Sequence, residues 1–294
     1  MEIKVLGPLE AVEAEVSIVP TAGKPRQLLA LLALNARQMV PVVAMMDELW
    51  GPRPPRSAAT TLQTYIFQLR RSLSAAMVGT GRDAKEVLIT RSAGYLLETP
   101  MGDVDACRFD ELTVRGYAAF EAGDPEAASR QLGQALGLWR GPALIDLPRG
   151  SRLEIEATRL DESRVAALER RLDADLQLGR HHEILGELAG LTAQYPLHEN
   201  LHAQFMLALY RCGMSARALE VFRRLRASLI DELGLEPSAP VQRLQRAVLS
   251  SDPMLDPVSP LRPQSPRSQP VGTERRQTLD GPGRAMAPRA GSRG

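Results

Sequence analysis

Cysteine is almost missing: Cys107 and Cys212 are the only two in 294 residues, far apart and with no second Cys nearby. A disulfide framework or a zinc knuckle needs clustered ligands, so both are excluded. Each thiol reads as a packing residue, because a free cysteine behaves as a small buried hydrophobe. Long apolar runs are missing too. The longest, LLALLAL at 28–34, falls well short of the roughly 20 residues that span a bilayer. The opening MEIKVLGPLE has neither the basic start nor the apolar stretch of a signal peptide, so a cytoplasmic protein without a membrane partner is expected.

Signatures of chemistry are absent as well. No GxxxxGK[ST] occurs, which removes a P-loop ATPase module. His198 and His202 stand at i, i+4 and could share a metal, but no third ligand follows in motif spacing, so packing or solvent contact is expected instead. His181 and His182 follow LGR between two helices and read as turn polarity. Asp161 and Glu162 sit in RLDESR, an alternating-charge helix face with no nucleophile beside it. No enzyme, no cofactor and no metal site are expected.

The net charge of +1 hides an asymmetry. Residues 1–100 hold 11 Lys/Arg and 9 Asp/Glu, and residues 101–250 hold 18 and 22. Residues 51–100 alone carry 7 bases against 3 acids, so a nucleic-acid footprint belongs in the first hundred residues.

That block alternates strand and helix signals. EIKVLG and VSIVP are short β-rich runs, KPRQLLALLALNA is an amphipathic helix with Pro25 in its opening turn, and PVVAMMDELWG is a second helix closed by Gly51. PRPP forces a non-helical connector, Ser57 is placed to N-cap the next helix, and EVLITRSAGYLLET breaks at Ser92-Ala93-Gly94 as a hairpin would. This order is that of a winged helix-turn-helix. From 104 to 250 the strand signals vanish. Gly123, Gly179 and Gly213 begin similar patterns, with apolar residues five, nine, twelve and sixteen positions on: Ala128, Ile184 and Ala218; Leu132, Leu188 and Phe222; Ala135, Leu191 and Leu225; Trp139, Tyr195 and Leu229. The last two origins are 34 residues apart, the tetratricopeptide period, and an insertion around RGPALIDLPRGSR separates the first two. Stacked helix pairs of this kind present a face to a partner. After 250 the chain holds 8 of its 22 prolines in 44 residues and reads as a disordered basic tail. The expected architecture is an α+β winged-helix domain (1–100), an all-α tetratricopeptide-like domain (104–250) and a tail (251–294).

The stretch TTLQTYIFQLRRSL at 60–73 carries the functional argument. Leu62, Ile66, Leu69 and Leu73 line one face of a helix. The opposite face has Thr60, Thr64, Phe67, Gln68 and Arg71, and residues 51–75 contain four Arg and no acid. With aromatics at only 4% of the chain, a phenylalanine on that outer face is conspicuous. Arginines neutralise phosphates and release counterions, whereas an acid there would be repelled. Gln offers a paired donor and acceptor to adenine, and Thr and Phe can meet a thymine methyl.

KPRQLLALLALNA, DELWG, PPRSAATTLQTYIFQLRRSL and TRSAGYLLE resemble the winged-helix domain of the Streptomyces antibiotic regulatory proteins. LGQALGLWRGPALIDLP, LERRLDADLQLGRHHEIL, YPLHENLHAQFMLALYRCG and ALEVFRRLRASLIDELGLEPS resemble their bacterial transcriptional activation domain. The match runs in order from about residue 2 to 250 and leaves the tail uncovered. The resemblance implies an OmpR-type DNA-binding domain placed at the N-terminus, with the helix from Thr60 as recognition helix. Thr64 and Gln68 would face bases; Thr61, Arg70 and Arg71 would lie nearer phosphate, with Thr60 and Phe67 on the same face. Arg91 would enter the minor groove from the wing, and Trp50 would contact the DNA backbone or belong to the core. The connector GPRPPRSA, with Arg53 and Arg56, would face RNA polymerase and its sigma factor. Binding to promoter direct repeats near the −35 region as a dimer, and activation of an antibiotic biosynthetic cluster, follow from the resemblance. A protein-interaction scaffold with a non-reading N-terminal domain is the rival expectation.

Overall fold

The computed structural model describes residues 1–79 and 81–256. The N-terminal part opens with a three-stranded antiparallel sheet, β1 (Glu2–Lys4), β2 (Glu10–Glu13) and β3 (Val16–Ser17), in which Ile3 pairs with Ala11 and Val12 with Ser17. Helix α1 (Gly23–Leu34), strand β4 (Met39–Pro41), helix α2 (Val42–Trp50) and helix α3 (Ala58–Ala76) follow. A single turn, α4 (Ala84–Val87), leads into the wing, β5 (Leu88–Arg91) and β6 (Gly94–Leu97), joined by the two-residue turn Ser92-Ala93. β6 lies between β5 and β4, with Gly94 opposite both Arg91 and Pro41. A Cβ at Gly94 would overlap the Val40 carbonyl oxygen, so the approach of β4 requires glycine there. Three short elements, β2, β4 and α4, depart from the sequence expectation. They are three or four residues each, too short to form without the tertiary contacts around them. Ser57 does stand at the N-cap of α3, yet its side chain makes no capping bond.

Seven helices complete the described chain: α5 (Asp105–Glu121), α6 (Pro125–Leu136), α7 (Ser151–Gln177), α8 (His181–Gln194), α9 (Glu199–Arg211), α10 (Ser215–Leu233) and α11 (Ala239–Ser250). Gly123, Gly179 and Gly213 stand in the turns of the three pairs α5–α6, α7–α8 and α9–α10, with φ of +76°, +78° and +76°. Left-handed backbone is what glycine tolerates without a Cβ clash, so the repeat origins are set by conformational need. The positions five and nine residues on are buried in every pair. The chain stays ordered past 250 through a 3-10 turn at Pro253–Leu255, whose Leu255 carbonyl accepts from Arg211 Nε at 2.8 Å. The rest of the expected tail, from 257 on, lies outside the described residues.

Apolar packing does not divide at residue 100. One cluster of buried side chains runs from Ile3 through α1–α3 to Phe109, Leu132, Leu144 and Ala167, and a second spans Leu172 to Val248. Polar bonds close the same seam. Asp105, at the start of α5, accepts the Val5 and Leu6 N–H groups at 2.7 and 3.0 Å. Burial pushes its carboxyl above the usual range, opposed by those two bonds and by Arg140. Glu48 of α2 is 3% exposed and caps a helix a hundred residues away. Its carboxylate accepts the N–H groups of Gly150 (2.7 Å), Arg152 (2.8 Å) and Leu153 (3.2 Å) at the start of α7, and Gln27 Nε2 at 2.9 Å. The first turn of α7 has no cap of its own, and an acid suits the positive end of a helix. Gly150 is obligatory there, since a Cβ would overlap the Glu48 carbonyl oxygen.

Candidate nucleic-acid interface

Helix α3 forms because Leu62, Ile66, Leu69 and Leu73 recur on one face; all four are at most 3% exposed against α1 and α2. That buried stripe fixes which residues face out. Thr60, Thr64, Phe67, Gln68 and Arg71 are exposed and share the outer face, while Thr61 is half-buried at its edge. Phe67 is 67% exposed. Thr64 Oγ1 donates to the Thr60 carbonyl at 3.1 Å, which occupies its proton and leaves its lone pairs for an incoming amino group. Arg53 and Arg56 are exposed in the connector ahead of α3, and Arg91 is exposed at the tip of β5.

Arg70 departs from the phosphate-facing expectation. Its guanidinium is half-buried and donates to the Leu88 carbonyl (Nε 3.0 Å, Nη2 2.6 Å) and to Thr90 Oγ1 (2.8 Å), above the Tyr95 ring at 5.9 Å. It ties α3 to the root of the wing. The reason is positional: it stands one residue past buried Leu69, on the flank of the helix that meets β5. Trp50 is half-buried, stacked on Tyr65 (6.3 Å between centroids, 15° between planes), with Lys24 Nζ 4.8 Å above its ring. It packs between helices and holds a cation over itself.

Two cations missed by the sequence reading join this surface. Lys24 arrives from α1 through Trp50. Lys85 of α4 lines a cleft of about 530 Å³ between α3 and the wing, together with Gln63, Phe67, Arg70, Arg71 and Tyr95. Asp83 also lines it, and its Oδ1 is engaged by the Lys85 N–H at 2.9 Å as the cap of α4. Neither lysine has a spacing relation to the helix 60–73 that a sequence could display. Arg53, Arg56, Arg71 and Arg91 make no ion pair or hydrogen bond with any described residue.

The remaining sequence candidates fall elsewhere. His198 Nδ1 lies 3.1 Å from Glu169 Oε1, and His202 Nδ1 donates to the His198 carbonyl at 3.1 Å. His181 and His182 open helix α8 instead of lying in the turn; His182 is exposed, but His181 is 6% exposed, with both ring nitrogens unpartnered. Burial and the nearby Arg211 and His182 lower its pKa. Cys107 and Cys212 are half-buried free thiols; burial and the acids Asp110 and Asp105 raise the first, and burial raises the second. Among the described residues no group of three or more His, Cys, Asp or Glu could hold a metal, and no helix is long and apolar enough to cross a membrane.

Comparison with known proteins agrees with this geometry. Residues 17–97 match the family described as transcriptional regulatory protein, C terminal, and residues 104–249 match the bacterial transcriptional activator domain. Regulatory protein DnrI of Streptomyces peucetius is 51% identical over 257 residues, covering 87% of this chain and 94% of that one. Transcriptional regulator RedD of Streptomyces coelicolor is 38% identical over 257 residues, covering 72% of its own length. The structure of Mycobacterium tuberculosis EmbR, solved with a low-affinity phosphopeptide, superposes with a TM-score of 0.80 at 34% identity; it covers 86% of this chain, which spans 65% of the EmbR chain. The chain belongs to the Streptomyces antibiotic regulatory proteins, transcriptional regulators in which an OmpR-type winged helix precedes a bacterial transcriptional activator domain.

Proposed function

We propose that the protein activates an antibiotic biosynthetic gene cluster by binding promoter direct repeats near the −35 region and recruiting RNA polymerase with its sigma factor. The observation that carries this reading is the outer face of α3: Thr60, Thr64, Phe67, Gln68 and Arg71 are exposed with no acid among them, and Arg71, like Arg53, Arg56 and Arg91 of the same domain, has no partner among the described residues. Gln68 and Thr64 read base edges, Arg71 and Arg91 hold the duplex backbone and the minor groove, and Arg53 and Arg56 face the polymerase. Residues 1–100 supply DNA reading, 104–250 supply activation and contact between copies, and the chain beyond the turn at Pro253–Leu255 is dispensable for both. One recognition helix reads few base pairs, so promoter selection requires a dimer on DNA, its two copies head-to-tail on successive repeats about one helical turn apart. The working location is the cytoplasm, on the nucleoid.

Nuclease footprinting of the full chain on the promoters beside its own gene tests this. Two protected repeats are expected, with cooperativity lost when about half a helical turn is inserted between them. Failure to bind duplex DNA in a salt-dependent way would leave the scaffold reading standing.

A further inference from the structure

Helices α8 and α10 both pack on α9, and residues of all three line a cleft of about 340 Å³. Its size is at the small end of ordinary ligand pockets. The opening has a cause in the sequence: α8 contributes only Ala189, Thr192 and Ala193, side chains too short to fill the space. Phe205 and Val221 make an apolar floor, each at most 4% exposed.

The wall on α10 is cationic. Arg217, Val221, Arg224 and Ser228 follow one another at helical spacing and line the cleft together. Arg224 has no acidic or hydrogen-bonding partner among the described residues, and Arg217 touches only the Met214 sulfur, at 3.4 Å. The surrounding half is acidic, and most of its arginines near the seam and the first two pairs find carboxylates: Arg140 holds Glu10, Arg159 holds Asp110, and Arg171 holds Asp175. Arg217 and Arg224 stand on one wall of a single cleft, and neither is ion-paired with a described carboxylate.

His202 completes the site. It is 5% exposed, lies in the lining, and its Nδ1–H donates to the His198 carbonyl, which fixes the tautomer and leaves Nε2 as a bare lone pair. No described protein group bonds that nitrogen. Burial lowers its pKa, opposed by the bond to the His198 carbonyl and reinforced by the charges of Arg224 and His198. A bound carboxylate supplies the negative charge that Arg217 and Arg224 lack, and its charge favours uptake of a proton from solvent at Nε2, which then donates to it.

We propose that this cleft between α8, α9 and α10 is a binding site for a small organic anion with an apolar body. The carboxylate would sit between Arg217, Arg224 and His202, and the body on Phe205 and Val221. The inference does not depend on the DNA-binding reading.

The test uses the full chain, with 15N-labelled histidine followed by NMR, and 2-naphthoate as probe. A saturable shift of the His202 ring is expected. The neutral isostere 2-naphthamide, and 2-naphthoate on R224Q, should each bind about ten-fold more weakly, the size of one lost charge-assisted contact. A193L, at an exposed position, should fill the cleft and abolish the shift while leaving the circular dichroism spectrum unchanged. Equal binding of naphthoate and naphthamide, unaltered binding to A193L, or no saturable shift would overturn the proposal. Displacement of the probe by hexaglutamate at lower concentration than naphthoate itself would also overturn it, because the cleft would then be a dock for an acidic peptide.

Discussion

Arg53, Arg56, Arg71 and Arg91, all in the first hundred residues, are ion-paired with no carboxylate among the described residues. In the helical half, Arg140, Arg159, Arg171 and Arg180 each hold one or two. The residue type is the same and the neighbourhoods are not. A cation that has a protein acid beside it is committed to the fold; one held on an acid-free face keeps its charge for a polyanion. Arg70 shows that the distinction is made residue by residue, since it adjoins Arg71 in sequence and is committed to the wing.

The largest effect should come from the seam that joins the two regions. Glu48→Ala leaves three N–H groups of α7 without their acceptor, while Gln27 Nε2 keeps its bond to the residue-48 carbonyl, so urea unfolding of the full chain should show a loss of about 3 kcal/mol. Asp47→Ala, next to it but exposed, should cost under about 0.5 kcal/mol. Equal losses would mean that the buried cap does not couple the halves.

On the reading face, Gln68→Ala and Thr64→Ala should each weaken binding to the cognate repeat by about 1–3 kcal/mol, with random duplex little affected. Loss of the same size on both DNAs would show that these residues read no sequence.

Arg71→Ala and Arg91→Ala should weaken specific and non-specific binding together, and each should flatten the log-affinity against log-salt slope by about one. Arg70→Ala acts through the wing that carries Arg91. It should therefore add little in the Arg91→Ala background, whereas a full additive loss there would restore Arg70 as a separate DNA contact.

The smallest effect concerns acid. His181 is buried with its ring nitrogens unpartnered and its pKa lowered, so the unfolded chain binds its proton first. Its contribution to stability is present at neutral pH. It is lost as pH falls from the unfolded value of about 6.5 through the lower folded value. Thermal unfolding of His181→Phe between pH 7 and pH 5 should show a shallower decline than the wild type; parallel declines would assign acid sensitivity to other groups.

Local pattern alone located α3, its buried and outer faces, the wing turn at Ser92-Ala93 and the three turn glycines. Those features depend on residues within a few positions of each other: a helical period sorts Leu62, Ile66, Leu69 and Leu73 from Thr64 and Gln68, and a left-handed turn selects glycine. Tertiary structure decided the rest. Glu48 meets Gly150, Arg152 and Leu153 across about a hundred residues of chain. Arg70 meets Leu88 across eighteen, Lys24 meets Trp50 from another helix, and His181 goes into the interior although its neighbour His182 does not. A polar side chain carries no local mark of the partner it will find, because that partner is supplied by whichever backbone the apolar core brings alongside it.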